Sequence, residues 1–117
     1  MIIYAFDVDH TLEVSVGPVL LADLVALRAA GHCVGVCGNF AVLVARWSDW
    51  HKTLSFIGPM EMLKVTFLSQ IKRYVRADEY VMVGNDGDGG QVSADKQAAE
   101  GAGWRFISEK DFAGGAR

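Results

Sequence analysis

Short apolar runs alternate with longer amphipathic segments along this chain. Apolar runs ended by glycine or acidic residues predict buried strands, and segments with apolar residues three and four apart predict helices that cover the sheet. The predicted strands are residues 2–6, 32–37, 54–57, 80–83 and 105–107, and the predicted helices are residues 18–30, 40–50, 61–75 and 94–102. This alternation predicts an α/β fold in three layers, with helices on both faces of a parallel five-stranded sheet.

Composition fits one small domain without a second. The chain has 117 residues, 51% of them hydrophobic, and a formal net charge of −3. Neither charge sign dominates any region, which argues against a broad nucleic-acid or membrane-surface role, because such proteins carry clustered Lys and Arg. We expect a single domain over residues 1–113 and a frayed tail over residues 114–117.

The cysteines and the hydropathy pattern predict a cytoplasmic protein. Cys33 and Cys37 lie on one apolar run, where a strand places them on the same face, and we interpret them as buried free thiols. Residues 1–6 are too short for the core of a signal peptide. The chain has no apolar stretch near the roughly 20 residues of a membrane span.

Candidate functional residues gather where the predicted strands end. They are Asp7 and Asp9 after the first strand, Cys37, Gly38 and Asn39 at the end of the second, and Asn85 and Asp86 after the fourth. In parallel α/β sheets ligands bind at the carboxyl ends of strands. Two carboxylates two residues apart resist joint ionisation, which suits one nucleophile and one acid and base; the plain alternative is a solvated acidic turn.

Residues 2–12, Ile-Ile-Tyr-Ala-Phe-Asp-Val-Asp-His-Thr-Leu, make one interpretation specific. They resemble the first signature of the haloacid dehalogenase superfamily, an apolar strand that runs into DxDxT and a further apolar residue. His10 stands where glycine is usual. The resemblance implies a Rossmann-like fold in which Asp7 is the nucleophile, Asp9 is the acid and base, and Thr11 ties down the catalytic loop at the substrate.

The second motif of that superfamily is a Ser or Thr that closes the second strand, often before Gly-Asn. Here Cys37 takes the hydroxyl position, and a thiol is a weaker hydrogen-bond donor to phosphate. The backbone N–H groups of Gly38 and Asn39 are predicted to hold a phosphate oxygen. A nucleophilic role for Cys37 is the minor alternative, since no basic loop surrounds it.

The third motif is a lysine early in the helix before the fourth strand, and Lys64 occupies that place. A cation there would screen the repulsion between Asp7 and an anionic phosphate. Lys72 is a distant alternative, and a solvent-facing lysine is the plain one.

The fourth motif is an acidic loop that helps to bind magnesium, and it matches with a displacement. Strict register places Asn85 at the metal; a shift of one residue brings in Asp86, which we prefer because a hard cation favours carboxylate oxygen. Asp88 and Asp95 compete for the second acidic position. The resemblance thus implies Mg²⁺ held by Asp7, the Asp9 backbone carbonyl and Asp86, against the alternative of an acidic surface loop without metal.

The function that follows is a magnesium-dependent phosphomonoester hydrolase with an aspartyl-phosphate intermediate. The alternative is a catalytically weak or inactive module that binds a phospho-ligand, and a receiver-like phosphoacceptor is a third. Residues 13–17 and 39–64 leave no room for a cap domain. A cap-less site is typical of members that act on large phosphorylated substrates, including nucleic-acid 3′-phosphates, or that borrow a lid from a second copy. Trp47, Trp50 and His51 could line such a surface, although core packing suits their spacing better.

Overall fold

The computed structural model describes residues 1–87 and 93–117 as an α/β fold around a five-stranded, all-parallel sheet. The strands are β1 (Ile2–Phe6), β2 (Cys33–Cys37), β3 (Phe56–Gly58), β4 (Glu79–Gly84) and β5 (Arg105–Ser108). Their order is β3-β2-β1-β4-β5, so β1 lies at the centre between β2 and β4, as predicted. The carboxyl ends of β1, β2 and β4 therefore meet at one edge.

Side chains of β1 alternate between two hydrophobic clusters, one on each face of the sheet. Tyr4 and Phe6 belong to the first cluster, and Ile3 and Ala5 belong to the second, with all four side chains at most 1% exposed. This two-residue period is what a strand covered on both faces requires. The parallel sheet and its central strand are thus confirmed.

The described helices are α1 (Leu21–Ala29), α2 (Phe40–Arg46), α3 (Trp50–Thr53), α4 (Lys64–Tyr74), α5 (Ala94–Gly101) and α6 (Glu109–Ala113). The first cluster includes Leu24 of α1, Leu43 of α2 and Phe112 of α6. The second includes Leu68 of α4 and Ala98 of α5. Each face of the sheet is therefore covered by helices.

Several element boundaries differ from the predictions. Helix α1 begins at Leu21 rather than at Pro18, because Leu12 and Val19 form a parallel bridge and a 3-10 turn covers Glu13–Ser15. The predicted helix over residues 40–50 is two helices, since the backbone is extended at Trp47. Helix α6 was not predicted.

Residues 114–117, predicted as a frayed tail, are exposed but make contacts. The Ala116 N–H group donates to the Asp111 carbonyl at 2.9 Å, and the Arg117 guanidinium lies 3.9 Å from the centre of the Phe112 ring. None of the helices described in residues 1–87 and 93–117 is long and apolar enough to cross a membrane.

Candidate functional site

Asp7 lies at the carboxyl end of the central strand. Its backbone N–H group donates to the Val83 carbonyl at 2.9 Å, which fixes the residue against β4. The Asp7 side chain is largely buried, although this carboxylate also lines an open pocket. The sheet topology thus places Asp7 at the carboxyl edge of the sheet, as the sequence predicts.

Lys64 joins two carboxylates at this edge. It is the first residue of α4, and its ammonium donates to Asp7 Oδ1 at 2.8 Å and to Asp95 Oδ1 at 2.7 Å. Asp7 and Asp95 are 57 and 31 residues away from Lys64 in the chain. The structure therefore brings together the first and third predicted motifs, and it adds Asp95.

Helix α5 holds Asp95 in its first turn. Ser93 caps the helix by accepting a hydrogen bond from the Lys96 N–H group at 3.0 Å, and Asp95 Oδ2 accepts one from the Asn85 N–H group at 3.1 Å. A carboxylate in the first turn is also favoured by the helix dipole. Asp95 is 6% exposed and accepts hydrogen bonds from Lys64 of α4 and from the backbone after β4.

Two glycines allow the carboxylates to approach the strand ends. A Cβ atom on Gly38 would lie 2.5 Å from Asp7 Oδ1, and one on Gly84 would lie 2.7 Å from Asp95 Oδ2. Both distances are too short for a side chain, so glycine is required directly after β2 and at the end of β4.

The charges of this cluster shift the pKa values of its members. Burial, and then the charge of Asp95, raise the pKa of Asp7 to about 6, against the opposing effect of Lys64. Burial alone would lower the pKa of Lys64, but the charges of Asp7 and Asp95 raise it above its ordinary value. One ammonium shared by two buried carboxylates explains both directions, and Lys64 stays protonated.

Asp9 differs from Asp7 in being exposed at the pocket rim. Its Oδ1 accepts a hydrogen bond from the Ser15 hydroxyl at 3.1 Å. His10, the residue that replaces the usual glycine, has a φ of 61°. His10 is therefore in the left-handed region, which glycine adopts without strain and which histidine tolerates less readily. Asp9 keeps access to solvent and to any molecule in the pocket.

Thr11 is fully buried and points away from the pocket. Its hydroxyl donates to Glu109 Oε2 at 2.7 Å. Thr11 thus anchors the loop after β1 to α6, as predicted for the loop, but it does not line the pocket as a substrate-binding residue would. The sequence analysis missed Glu109, although Ser108 with Asp111 three residues later is the pattern of a helix N-cap.

The end of β2 departs from the predicted phosphate-binding pattern. The Cys37 side chain lies in the second hydrophobic cluster, and burial raises its pKa to about 12. The Gly38 N–H group donates to the Gly58 carbonyl at 2.8 Å, because the pairing of β2 with β3 continues to this point. Contrary to expectation, neither the thiol nor this N–H group is available to a phosphate. Gly38 and Asn39 still line the pocket.

The loop after β4 places Asp95, rather than the preferred Asp86, at the cluster. Asp86 is exposed, and within residues 1–87 and 93–117 no hydrogen bond or ion pair joins it to Asp7 or Lys64. The Asn85 side chain is engaged locally, since its Oδ1 accepts from the Gly87 N–H group at 2.6 Å. Asp88 lies outside the described residues.

Other candidates lie away from the cluster. Lys72, the alternative lysine, donates to the Gly103 carbonyl at 2.7 Å and lies over the Tyr80 ring. Trp47 and Trp50 pack against the first hydrophobic cluster, which fits the core interpretation.

The pocket at this edge has a volume of about 560 Å³ and two unlike walls. Asp7, Asp9, Gly38, Asn39 and Lys64 form the polar wall, and Pro59, Met60, Met62 and Leu63 form the apolar one. The apolar wall was not predicted, because the segment between β3 and α4 carries no motif.

Of the predicted metal ligands, Asp7 lies in the cluster with Lys64 and Asp95, whereas Asp86 is exposed and lies outside it. In the part of the chain that the structure describes, no group of three or more His, Cys, Asp or Glu side chains is placed to hold a metal ion. The donors that do meet are the carboxylates of Asp7 and Asp95, and carboxylate oxygen is what a hard divalent cation prefers. No family model, curated protein or solved structure matches this chain.

Proposed function

We propose that this protein is a magnesium-dependent phosphomonoester hydrolase that works through an aspartyl-phosphate on Asp7. The observation that carries the proposal is the Lys64 ammonium, which lies 2.8 Å from Asp7 Oδ1 at the carboxyl edge of the sheet, beside an open pocket. A buried carboxylate next to a fixed cation is what in-line attack on an anionic phosphate requires. The DxDxT pattern at Asp7–Thr11 supports the same chemistry.

The reaction is a double displacement with two proton transfers. An Asp7 carboxylate oxygen attacks phosphorus, the ester P–O bond breaks, and Asp9 gives its proton to the leaving oxygen. Water then attacks phosphorus, Asp9 accepts a proton from that water, and the bond from Asp7 to phosphorus breaks to release phosphate. The exposure of Asp9 at the rim supports its role, because it must reach both the leaving group and water.

Magnesium fits the donor set with one revision. Asp7, the Asp9 backbone carbonyl and Asp95 would hold the ion, with Asp95 in place of the exposed Asp86. Two buried carboxylates share a single ammonium, so the site has negative charge left for a divalent cation. When bound, the ion would reduce the repulsion between Asp7 and the incoming phosphate.

The proposal also covers the fold family and the cellular compartment of the protein. We propose a haloacid dehalogenase-like, cap-less fold, because only a 3-10 turn and a bridge join the loop after β1 to α1. A phosphorylated substrate would then reach the pocket directly from solvent. We propose a cytoplasmic setting because Cys33 and Cys37 are free thiols.

The second candidate is a module that binds a phospho-ligand without turnover. The thiol of Cys37 in place of a hydroxyl and the exposed position of Asp86 favour it, because both depart from the pattern of catalytic members. The Asp7–Lys64 contact argues for the enzyme.

Release of p-nitrophenol from p-nitrophenyl phosphate tests the proposal. We expect turnover that needs Mg²⁺, that EDTA suppresses, and that Asp7→Asn lowers by about three orders of magnitude or more. Asp49→Asn, an exposed aspartate outside the pocket, serves as the matched control. Hydrolysis by Asp7→Asn at the wild-type rate would rule out the aspartyl-phosphate route, and binding of phosphate without turnover in the wild type would favour the second candidate.

A further inference from the structure

The segment between β3 and α4 exposes an unusual concentration of large apolar side chains. Met60 is 67% exposed, Met62 is 42% exposed and Leu63 is 73% exposed. Soluble proteins expose single apolar side chains routinely, but a contiguous group beside a pocket more often marks a binding surface.

Both ends of this segment are anchored to the framework of the site. At its start, the Gly58 carbonyl accepts the hydrogen bond from the Gly38 N–H group at 2.8 Å. At its end, the Leu63 carbonyl accepts one from the Phe67 N–H group at 3.0 Å, and the next residue is Lys64. The apolar wall therefore continues directly into the residue that contacts Asp7.

The charges of the pocket disfavour a second anionic group. Among the described residues that line the pocket, Lys64 is the one cation, and it already forms ion pairs with Asp7 and Asp95. Asp9 at the rim is a further carboxyl group and not a cation. A nucleic acid or a polyphosphate would bring phosphates for which this pocket offers no additional cation.

We propose that the substrate of this site is a phosphate monoester carried on an uncharged apolar group, with Met60, Met62 and Leu63 holding that group. This inference rests on the proposed function for the role of Asp7 and Lys64, and it adds the substrate class. Methionine side chains are flexible and polarisable, so such a wall accommodates aryl and alkyl groups of different shape. The volume of about 560 Å³ leaves room for the phosphate and a ring together.

Binding of two phosphonates tests the inference without any turnover. Phenylphosphonate and methylphosphonate carry the same anionic group on a C–P bond that is not hydrolysed, and calorimetric titration with Mg²⁺ gives their affinities. We expect phenylphosphonate to bind about tenfold more tightly, which corresponds to ~60 Å² of apolar surface removed from water. In a Met60→Ser, Met62→Ser double variant the ratio should fall to about two. Val25→Ser, an apolar side chain exposed to a similar extent on α1, is the control and should keep the wild-type ratio.

Equal affinities in the wild type, or an unchanged ratio in the double variant, would overturn the substrate class. Tighter binding of a 3′-phosphorylated oligonucleotide than of phenylphosphonate would also overturn it. A double variant that changes only the oligomeric state would instead make this face an interface between copies. Hydrolysis of p-nitrophenyl phosphate is measured separately. Hydrolysis with equal phosphonate affinities keeps the proposed function and overturns this inference. A tenfold ratio without hydrolysis overturns the proposed function, and with it the substrate, and leaves only a binding site for apolar phosphate monoesters.

Discussion

Asp7 and Glu109 are both buried carboxylates that contact groups near the end of β1, but their surroundings differ. Asp7 lies on the side of α4 and α5, faces an open pocket, and shares an ammonium with Asp95. Glu109 lies on the side of α6, accepts a hydrogen bond from the buried Thr11 hydroxyl, and does not line that pocket.

Under the proposed function, this difference separates a chemical role for Asp7 from a structural role for Glu109. The Thr11–Glu109 contact joins two elements 98 residues apart, so it holds the loop after β1 in place. The Asp7–Lys64–Asp95 cluster concentrates charge beside a pocket, where burial and then the charge of Asp95 raise the pKa of Asp7 against the opposing effect of Lys64. Shifted pKa values of this kind are common at functional sites.

Lys64→Met should have the largest effect, and it acts on activity. Removing the ammonium leaves Asp7 and Asp95 facing each other and takes away the cation nearest to an incoming phosphate. We expect kcat for p-nitrophenyl phosphate to fall by about a hundredfold to a thousandfold. Lys72→Met, on the same helix but bonded to the Gly103 carbonyl, should stay within about threefold of wild type. Equal losses in the two variants would remove Lys64 from the site.

Thr11→Val should have the next largest effect, and it acts on stability. The substitution keeps the side-chain shape but leaves Glu109 Oε2 without its donor in a buried position. We expect a loss of about 1–3 kcal/mol in the free energy of unfolding, measured by urea denaturation at pH 7.5. Thr66→Val, at an exposed position of α4, should change it by less than about 0.5 kcal/mol. Equal stability of Thr11→Val and wild type would contradict the anchoring role.

Asp7→Asn should stabilise the protein at alkaline pH. Because the pKa of Asp7 rises from 3.8 to about 6 on folding, this group favours the folded state below pH 4 and loses that contribution as the pH rises through about 6. Asparagine has no ionised form, so the variant avoids the free-energy cost of burying the charged Asp7 carboxylate. Since the pKa of about 6 already includes the opposing charge of Lys64, we expect a gain of about 1–3 kcal/mol at pH 8. The gain should vanish near pH 4.

Urea denaturation at both pH values measures this effect, and Asp49→Asn is the control. A variant less stable than wild type at pH 8 would mean that Lys64 more than compensates for the burial of Asp7. Asp7 would then resemble Glu109, and the proposed division between the two carboxylates would fail.

The sequence predicted a site residue well where its position depends only on the end of a strand in the sheet. Asp7 follows a strand that is apolar on both faces, which predicts a strand in the interior of a parallel sheet, and ligands bind at the carboxyl ends of such strands. Lys64 was predicted from its resemblance to the third motif, within a helix expected over residues 61–75, and the structure places it at the start of α4. Asp95 was harder, since its place depends on the path of the chain after β4 and on the Ser93 cap. The contacts of Thr11 and Cys37 depend on packing against distant elements, which no local pattern encodes.

Asp86→Asn should have the smallest effect, and it distinguishes the two acidic residues of the fourth motif. Strand-end position and charge favoured Asp86 as a metal ligand, whereas Asp95 is the residue that contacts Lys64. With magnesium at Asp7 and Asp95, Asp86→Asn should change the Mg²⁺ concentration for half-maximal turnover by less than about threefold, because a solvated charge contributes little. Asp95→Asn should raise it by about tenfold or more, as loss of a carboxylate ligand does. The reverse order would mean that the loop after β4 moves Asp86 to the metal, and that Asp95 serves only to hold Lys64.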